Sequence, residues 1–370
     1  MTATDPVPIP PTEAFTRTGG DARYAQAALL LSLGAAAAGA TESVEITADF
    51  PLPPLGPLRQ EKVMPREQAA DALTVSTRAY VRGEVGTIPS SEAARLTRRV
   101  FDDPTPPAAA ALVEAGLHHP DRLVRTAAAA SALDTTGPRP DVVAVLEAGV
   151  GDRDPTTRDV ARVALARVLP QHPRLAELVV RPPARRRRTD PSHTAVLTHG
   201  TFAANGRWWR PGGEFHTYLD GLMPPLHLHD QSFRWSGAYS PGARDLAAEQ
   251  LGTWVTDQQL AGPDLFGHSH GTTVANLATQ RGVQLTRLVM LAWPVHHAWL
   301  PDLDRVDRVI DHRVHMDLVV LADRGGQRLP PDVRDSPKVR EHVVGWFRHS
   351  LPRTGAHWRR HGLDQSLTDP

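Results

Sequence analysis

No cysteine occurs in the 370 residues, which excludes disulfides, thiolate metal centres and a cysteine nucleophile. Net charge is lacking as well. Lysine plus arginine equals aspartate plus glutamate at 41 each, so no overall field points to nucleic acid, a membrane surface or a strongly charged substrate. Long apolar runs are also missing: the best, Ala25 to Ala40, spans 16 residues, mostly alanine, against the ~20 that a membrane span requires. Ahead of it stand Asp5, Glu13 and Asp21 rather than a short positive segment, so it reads as a buried helix, with a signal or anchor helix as the alternative. No stable membrane span is expected, and the default location is cytoplasmic.

What is present divides into two grammars, as the length suggests. From about Arg66 to Leu178 alanine and leucine recur at helical spacing between proline and glycine clusters. EAGL at Glu114–Leu117 returns as EAGV at Glu147–Val150, a shift of 33 residues that also carries Asp121 to Asp154, Arg125 to Arg158 and Ala128 to Ala161. A turn aspartate, an arginine and then a helix with small residues on its packing face resemble HEAT-like helical repeats. Such a resemblance implies helical hairpins that bury their apolar faces by stacking, as a protein-binding surface, a cap over the second half, or a supporting bundle. RPPARRRRTDP, Arg181 to Pro191, has the prolines and like charges of an exposed linker. The expected organisation is a helical domain over 1–180, a linker over 181–191 and a second domain over 192–370.

In the second domain short apolar runs alternate with longer amphipathic stretches. TAVLT (Thr194–Thr198), DLFG (Asp264–Gly267), LTRLVMLAW (Leu285–Trp293) and LVVLA (Leu318–Ala322) read as strands, and Ala243–Gln259 and Thr272–Arg281 as helices. This alternation predicts an α/β domain, a parallel sheet flanked by helices, with ligands at the carboxyl ends of the strands.

Three motifs sit where chemistry is expected. FGHSHG, Phe266–Gly271, falls between a strand and a helix, which makes Ser269 a candidate nucleophile at a strained elbow with a helix amino terminus behind it. LTHGTF, Leu197–Phe202, ends the first strand on a glycine, so that the amide of Thr201, with Phe202 as its neighbour, and the amide of His270 would cradle an oxyanion. Serine needs a base, and the base an orienting acid. Downstream, Asp317, Asp323 and Asp311 compete for the acid, with Asp317 placed first. His349, directly after a strand-like segment, is preferred as base to His357 and His361. The pairs His268/His270, His227/His229 and His296/His297 lack the carboxylates and helical spacing of a zinc site, so no metal and no cofactor is expected. GRWWRPGGEFHTYL, Gly206–Leu219, holds four of the chain's 20 aromatics. Phe202, Trp208 and Trp209 are therefore candidates for an apolar acyl or aryl pocket, with one tryptophan expected to pack the first helix onto the sheet instead.

Together HGTF, WSGAYSPGARDLAAEQL (Trp235–Leu251), GHSHGTTVANLA and the later aspartate and histidine resemble the α/β-hydrolase superfamily, in particular its lipase-like and esterase-like members. The resemblance covers about 180 residues and does not touch the helical half. It implies a hydrolase-type sheet and a cofactor-free serine hydrolase with Ser269 as nucleophile, His349 as base and Asp317 as orienting acid. The segment departs from the family in beginning directly at the strand before HGTF, without the usual first two strands, and in being close to the smallest workable core for the fold. The substrate would be a lipid or other apolar ester. Acyl transfer or thioester cleavage on the same triad is an alternative, as is an inactive scaffold whose helical repeats bind a protein.

Overall fold

Prolines and caps mark where the helices begin. The computed structural model describes residues 20–40, 96, 99–100, 105–180, 194–222 and 226–368. The expected linker Arg181–Pro191, and the alanine-rich stretch before residue 96, lie outside the described residues. Two units emerge: Met1–Val168 with Leu321–Gly326, and Leu169–Val320 with Gln327–Pro370.

The helical unit contains α1 (Gly20–Ala37), α2 (Pro106–Gly116), α3 (Arg122–Thr135), α4 (Pro140–Val150) and α5 (Pro155–Val168). Helices α3 and α5 begin and end 33 residues apart, so the sequence repeat is a structural one. Four of the shared residues have the same physical task in both copies. A Cβ on Gly116 would lie 2.8 Å from that of Ala128, and one on Gly149 2.7 Å from that of Ala161, so each Gly–Ala pair lets two helices touch through their backbones. Asp121 caps α3, accepting from the amides of Leu123 at 2.8 Å and Val124 at 3.2 Å, and Asp154 accepts from the amide of Thr156 at 2.9 Å. Arg125 donates to the Pro120 carbonyl at 2.9 Å and Arg158 to that of Asp152 at 3.4 Å, fastening each helix to the turn before it.

Helix α1 is buried, as its composition suggested: Ala25, Ala27 to Leu31, Leu33 and Ala35 are all shielded from solvent. It crosses α3 where Ser131 Oγ donates to the Leu30 carbonyl at 2.6 Å and where a side chain on Gly34 would collide with Ser131. Among the described residues no helix is long and apolar enough to cross a membrane. The segment Leu321–Gly326 is tied into this unit by Arg324, which donates to the Leu31 carbonyl at 3.0 Å and pairs with Asp134. Asp134 also meets Arg167, at 2.5 Å.

The second unit is built on five parallel strands in sequential order, β1 (Ala195–Thr198), β2 (Asp264–His268), β3 (Leu285–Leu291), β4 (Val306–His315) and β5 (Val339–Trp346). Beyond β1, Leu228 and Phe233 form isolated parallel bridges to Ala195 and Thr198. Alternate residues serve opposite faces. Val196, Leu265, Leu288, Met290 and Val309 pack under α8 (Pro241–Asp257) and α9 (His270–Gln280), whose buried faces include Leu251, Val274 and Ala278. Leu197, Phe266, Val289, Leu291 and Ile310 pack on the other side with Phe215 and Leu219 of α7 (Glu214–Asp220), Trp358 of α12 (Gly355–His361) and Leu367 of α13 (Gln365–Thr368). The short helix α6 (Pro173–Ala176) precedes the sheet, and α11 (Pro331–Arg334) precedes β5.

One strand assignment is corrected. LVVLA is not a strand but most of helix α10 (Leu318–Asp323), because Asp317 Oδ1 accepts from the amides of Val319 at 2.9 Å and Val320 at 3.2 Å and so starts a helix. The strand at this place in the chain is the charged stretch Val306–His315.

Asp134 is 4% exposed and shared by two guanidinium groups. Asp134→Ala should therefore lower stability by about 3 kcal/mol, because it strands a buried cation. Asp141→Ala, which removes a carboxylate 61% exposed to solvent, should cost less than about 1 kcal/mol. Urea denaturation of the two variants checks the contrast.

Candidate active site

Ser269 is the single residue between β2 and α9, with φ 55° and ψ −133°, a conformation that L-residues rarely adopt. Its amide donates to the Leu291 carbonyl at 2.9 Å, and its carbonyl accepts from the Thr272 amide at 2.9 Å. Close approach explains the glycines around it. A Cβ on Gly267 would lie 2.7 Å from the Thr272 backbone, and one on Gly271 only 2.5 Å from the His199 carbonyl oxygen. On the facing loop, a Cβ on Gly200 would come within 2.8 Å of the Ser269 Cβ. The loop after β1 is thus pressed directly against the elbow.

That loop is held by a histidine pillar. His199 is fully buried, stacked on Trp235 at 5.6 Å between ring centroids and tilted against Trp209 at 4.8 Å. Its Nδ1 lies 2.8 Å from the Gly200 carbonyl, while its own carbonyl accepts from Trp235 Nε1 at 2.7 Å. Burial above all holds its pKa down, to about 3, so the ring is neutral. Phe202 adopts φ 55° and its amide donates to the Gly237 carbonyl at 2.9 Å. The Thr201 amide makes no backbone hydrogen bond among the described residues, and its buried Oγ1 has no partner there either. Thr201 thus keeps the donors that its neighbour has committed.

Asp317 and His349 meet. His349 follows β5 and Asp317 follows β4, and the Nδ1 of the one lies 2.7 Å from Oδ2 of the other, both side chains buried. The acid is fixed at its backbone too: Gln327 Oε1 accepts from the Asp317 amide at 3.0 Å, and Gln327 Nε2 donates to the Asp317 carbonyl at 3.2 Å. Asp317 Oδ1 caps α10, so one oxygen is devoted to the helix and the other to the histidine. The competing acids are placed otherwise. Asp323 closes α10 in the segment that clusters with the helical unit. Asp311 is buried on β4 in an ion pair with Arg313, which also bonds Glu341 at 3.1 Å; burial, opposed by Arg313 and reinforced by Glu341, pushes its carboxyl up to about 7. His357, the rival base, directs Nε2 at the Val344 carbonyl, and His361 lies against it at 4.3 Å.

The two histidines beside the serine serve different neighbours. His268 Nε2 lies 3.1 Å from the His349 carbonyl, with the rings edge-on at 4.6 Å. His270 receives Arg244 Nη2 at Nε2, 3.0 Å away, and its Nδ1 faces Thr273 Oγ1 at 3.1 Å, to which Trp293 Nε1 also donates at 3.0 Å. The aromatic candidates separate as well. Trp209 is buried and bonds the Ala203 carbonyl at 3.2 Å, a packing role. Trp208 and Phe202 remain half-buried, Trp208 lying edge-on to His268 at 5.4 Å.

Sequence reasoning did not find Gln327, Arg244 or the tie from His268. A buried glutamine ten residues beyond the acid carries no motif, and its role exists only once the loop has folded back. The chain matches no protein-family model, no curated protein and no solved structure.

The buried neutral histidines set an acid limit on this unit. His199 and His312, whose Nε2 faces Ser366 Oγ at 3.1 Å, are both held to about 3 by burial, against 6.5 for an ordinary histidine. Between those values the unfolded chain takes up protons that the folded chain refuses. Stability is therefore full above the ordinary histidine range and falls as pH drops toward 3, by roughly 1.4 kcal/mol per pH unit for each ring. Urea midpoints measured from pH 7 down to pH 4 should decline accordingly, and His312→Asn should show a shallower decline.

Proposed function

We propose that this chain is a serine hydrolase that cleaves a carboxylic ester by way of an acyl-enzyme, with Ser269 as nucleophile, His349 as base and Asp317 as the residue that orients it. The observation that carries the reading is the buried 2.7 Å bond between His349 and Asp317, two residues brought from the ends of β5 and β4 to the rim where β2 delivers a strained serine. A parallel sheet whose acid and base follow the serine in chain order is what the resemblance to the α/β hydrolases requires.

In this reading Asp317 accepts a hydrogen bond from Nδ1–H and leaves Nε2 of His349 as the basic nitrogen. Nε2 takes the Ser269 proton as Oγ adds to the ester carbonyl. The oxyanion that forms is met by the amides of Thr201 and of His270, the latter at the positive end of α9. Collapse of the tetrahedral species expels the alkoxide, which leaves with the proton returned by His349. Water, deprotonated by the same nitrogen, then releases the acid and restores Ser269. Half-buried Trp208 and Phe202 beside this rim favour an apolar acyl or aryl group. The helical unit, with its register of 33 residues, is read as HEAT-like repeats that offer a surface to a protein partner or support the sheet unit. The proposed location is cytoplasmic.

A fluorophosphonate probe should label the wild type and leave Ser269→Ala unlabelled. Unlabelled wild type, or equal labelling of the two, would overturn the assignment. Asp317→Asn should retain the fold and lose about 10⁴-fold in kcat, since the wrong tautomer of His349 is then held. Rates on p-nitrophenyl esters of graded chain length should rise with acyl length before falling, and Trp208→Ala should flatten that profile.

A further inference from the structure

The His349 backbone is held at one point. Among the described residues its carbonyl accepts a single hydrogen bond, from His268, and its amide makes none with the backbone. His268 is the last residue of β2, immediately before Ser269, and is 2% exposed. A carbonyl can only accept, so the 3.1 Å contact requires the hydrogen on Nε2 of His268 and leaves Nδ1 bare. That Nδ1 is buried without a partner among the described residues, an arrangement that an apolar side chain would avoid altogether. Burial first, and then Arg353 and His349, keep the His268 ring neutral, which removes it as a proton carrier in the reaction. Its ring also meets Trp208 edge-on at 5.4 Å, over which the Arg353 guanidinium lies at 5.3 Å. Arg353 is on the same loop as His349, four residues further on.

We propose that His268 is a positioning residue: by donating Nε2–H to the His349 carbonyl it ties the loop that bears the base to the strand that bears the nucleophile. Asp317 fixes the imidazole of His349, and His268 fixes the peptide from which that imidazole hangs. Two attachments at the ends of one side chain define its direction, which either alone does not. The proposal rests on the reading of His349 as base of Ser269.

The test uses the full chain as wild type, His268→Gln, His268→Asn and His268→Leu, with Ser269→Ala as the unlabelled control. Glutamine places an amide nitrogen near the position of Nε2, whereas asparagine is too short and leucine has no donor. Expected for His268→Leu and His268→Asn is a fall of about 10- to 100-fold in kcat and in fluorophosphonate labelling, with KM nearly unchanged. The acid limb of the kcat/KM pH profile, on which the base loses its proton, should shift, and the low-field proton resonance of the His349–Asp317 bond should broaden or move. His268→Gln should recover most of the rate and the resonance. Equal rates for the glutamine and asparagine variants, or a wild-type labelling rate and pH profile in the leucine variant, would overturn the tie while leaving the hydrolase reading intact. Should the leucine variant not fold, the glutamine and asparagine pair decides alone. Absence of labelling in the wild type would instead remove the hydrolase reading, and this inference with it.

Discussion

Parallel strands deliver all their carboxyl ends to one rim, and the candidate site depends on that constraint. Ser269 leaves β2, Asp317 follows β4 and His349 follows β5, so residues far apart in the chain arrive at the same edge without any long connection. The constraint also explains the crowding. With the loop after β1 leaving the same rim, Gly200 and Gly271 are the positions at which backbone meets backbone, and the His199 pillar keeps that loop from backing away.

Much of this was legible in the residues. Three of the four apolar runs read as strands are strands, since a buried parallel strand needs an uninterrupted apolar core and turn residues at its end. The fourth, LVVLA, was misread for a physical reason: its β-branched residues suit a strand, but the carboxylate before it caps two amides and commits the chain to a helix. The true strand was hidden by its charges. Asp311 and Arg313 follow Val309 on the same face of β4 and are buried as an ion pair, which a hydrophobicity pattern counts as surface. In the site, the elbow glycines and the pairing of Asp317 with His349 follow from motif and order. Gln327, Arg244 and the tie from His268 do not, because each holds a backbone or ring whose position exists only in the fold.

The helical unit shows a different relation between sequence and structure. Its repeat is faint in identity, yet four of the residues that recur have a backbone-level duty: a glycine that admits an alanine, an aspartate that caps, an arginine that fastens the preceding turn. Side chains that only fill space are free to differ so long as volume is kept. A repeat of this kind is best recognised by what its few shared residues do, not by how many there are.

The bracket that Gln327 places on the Asp317 backbone bears on how the chain tolerates change. Residues 318–326, helix α10 and the three residues after it, leave and rejoin the chain at a neck closed by a pair of hydrogen bonds, so the Asp317 peptide is held at the neck while its Oδ1 caps the helix. The carboxylate therefore keeps its aim on His349 through a bond that Leu321–Gly326 does not make, although that segment is itself constrained, being buried and anchored by the pairing of Arg324 with Asp134.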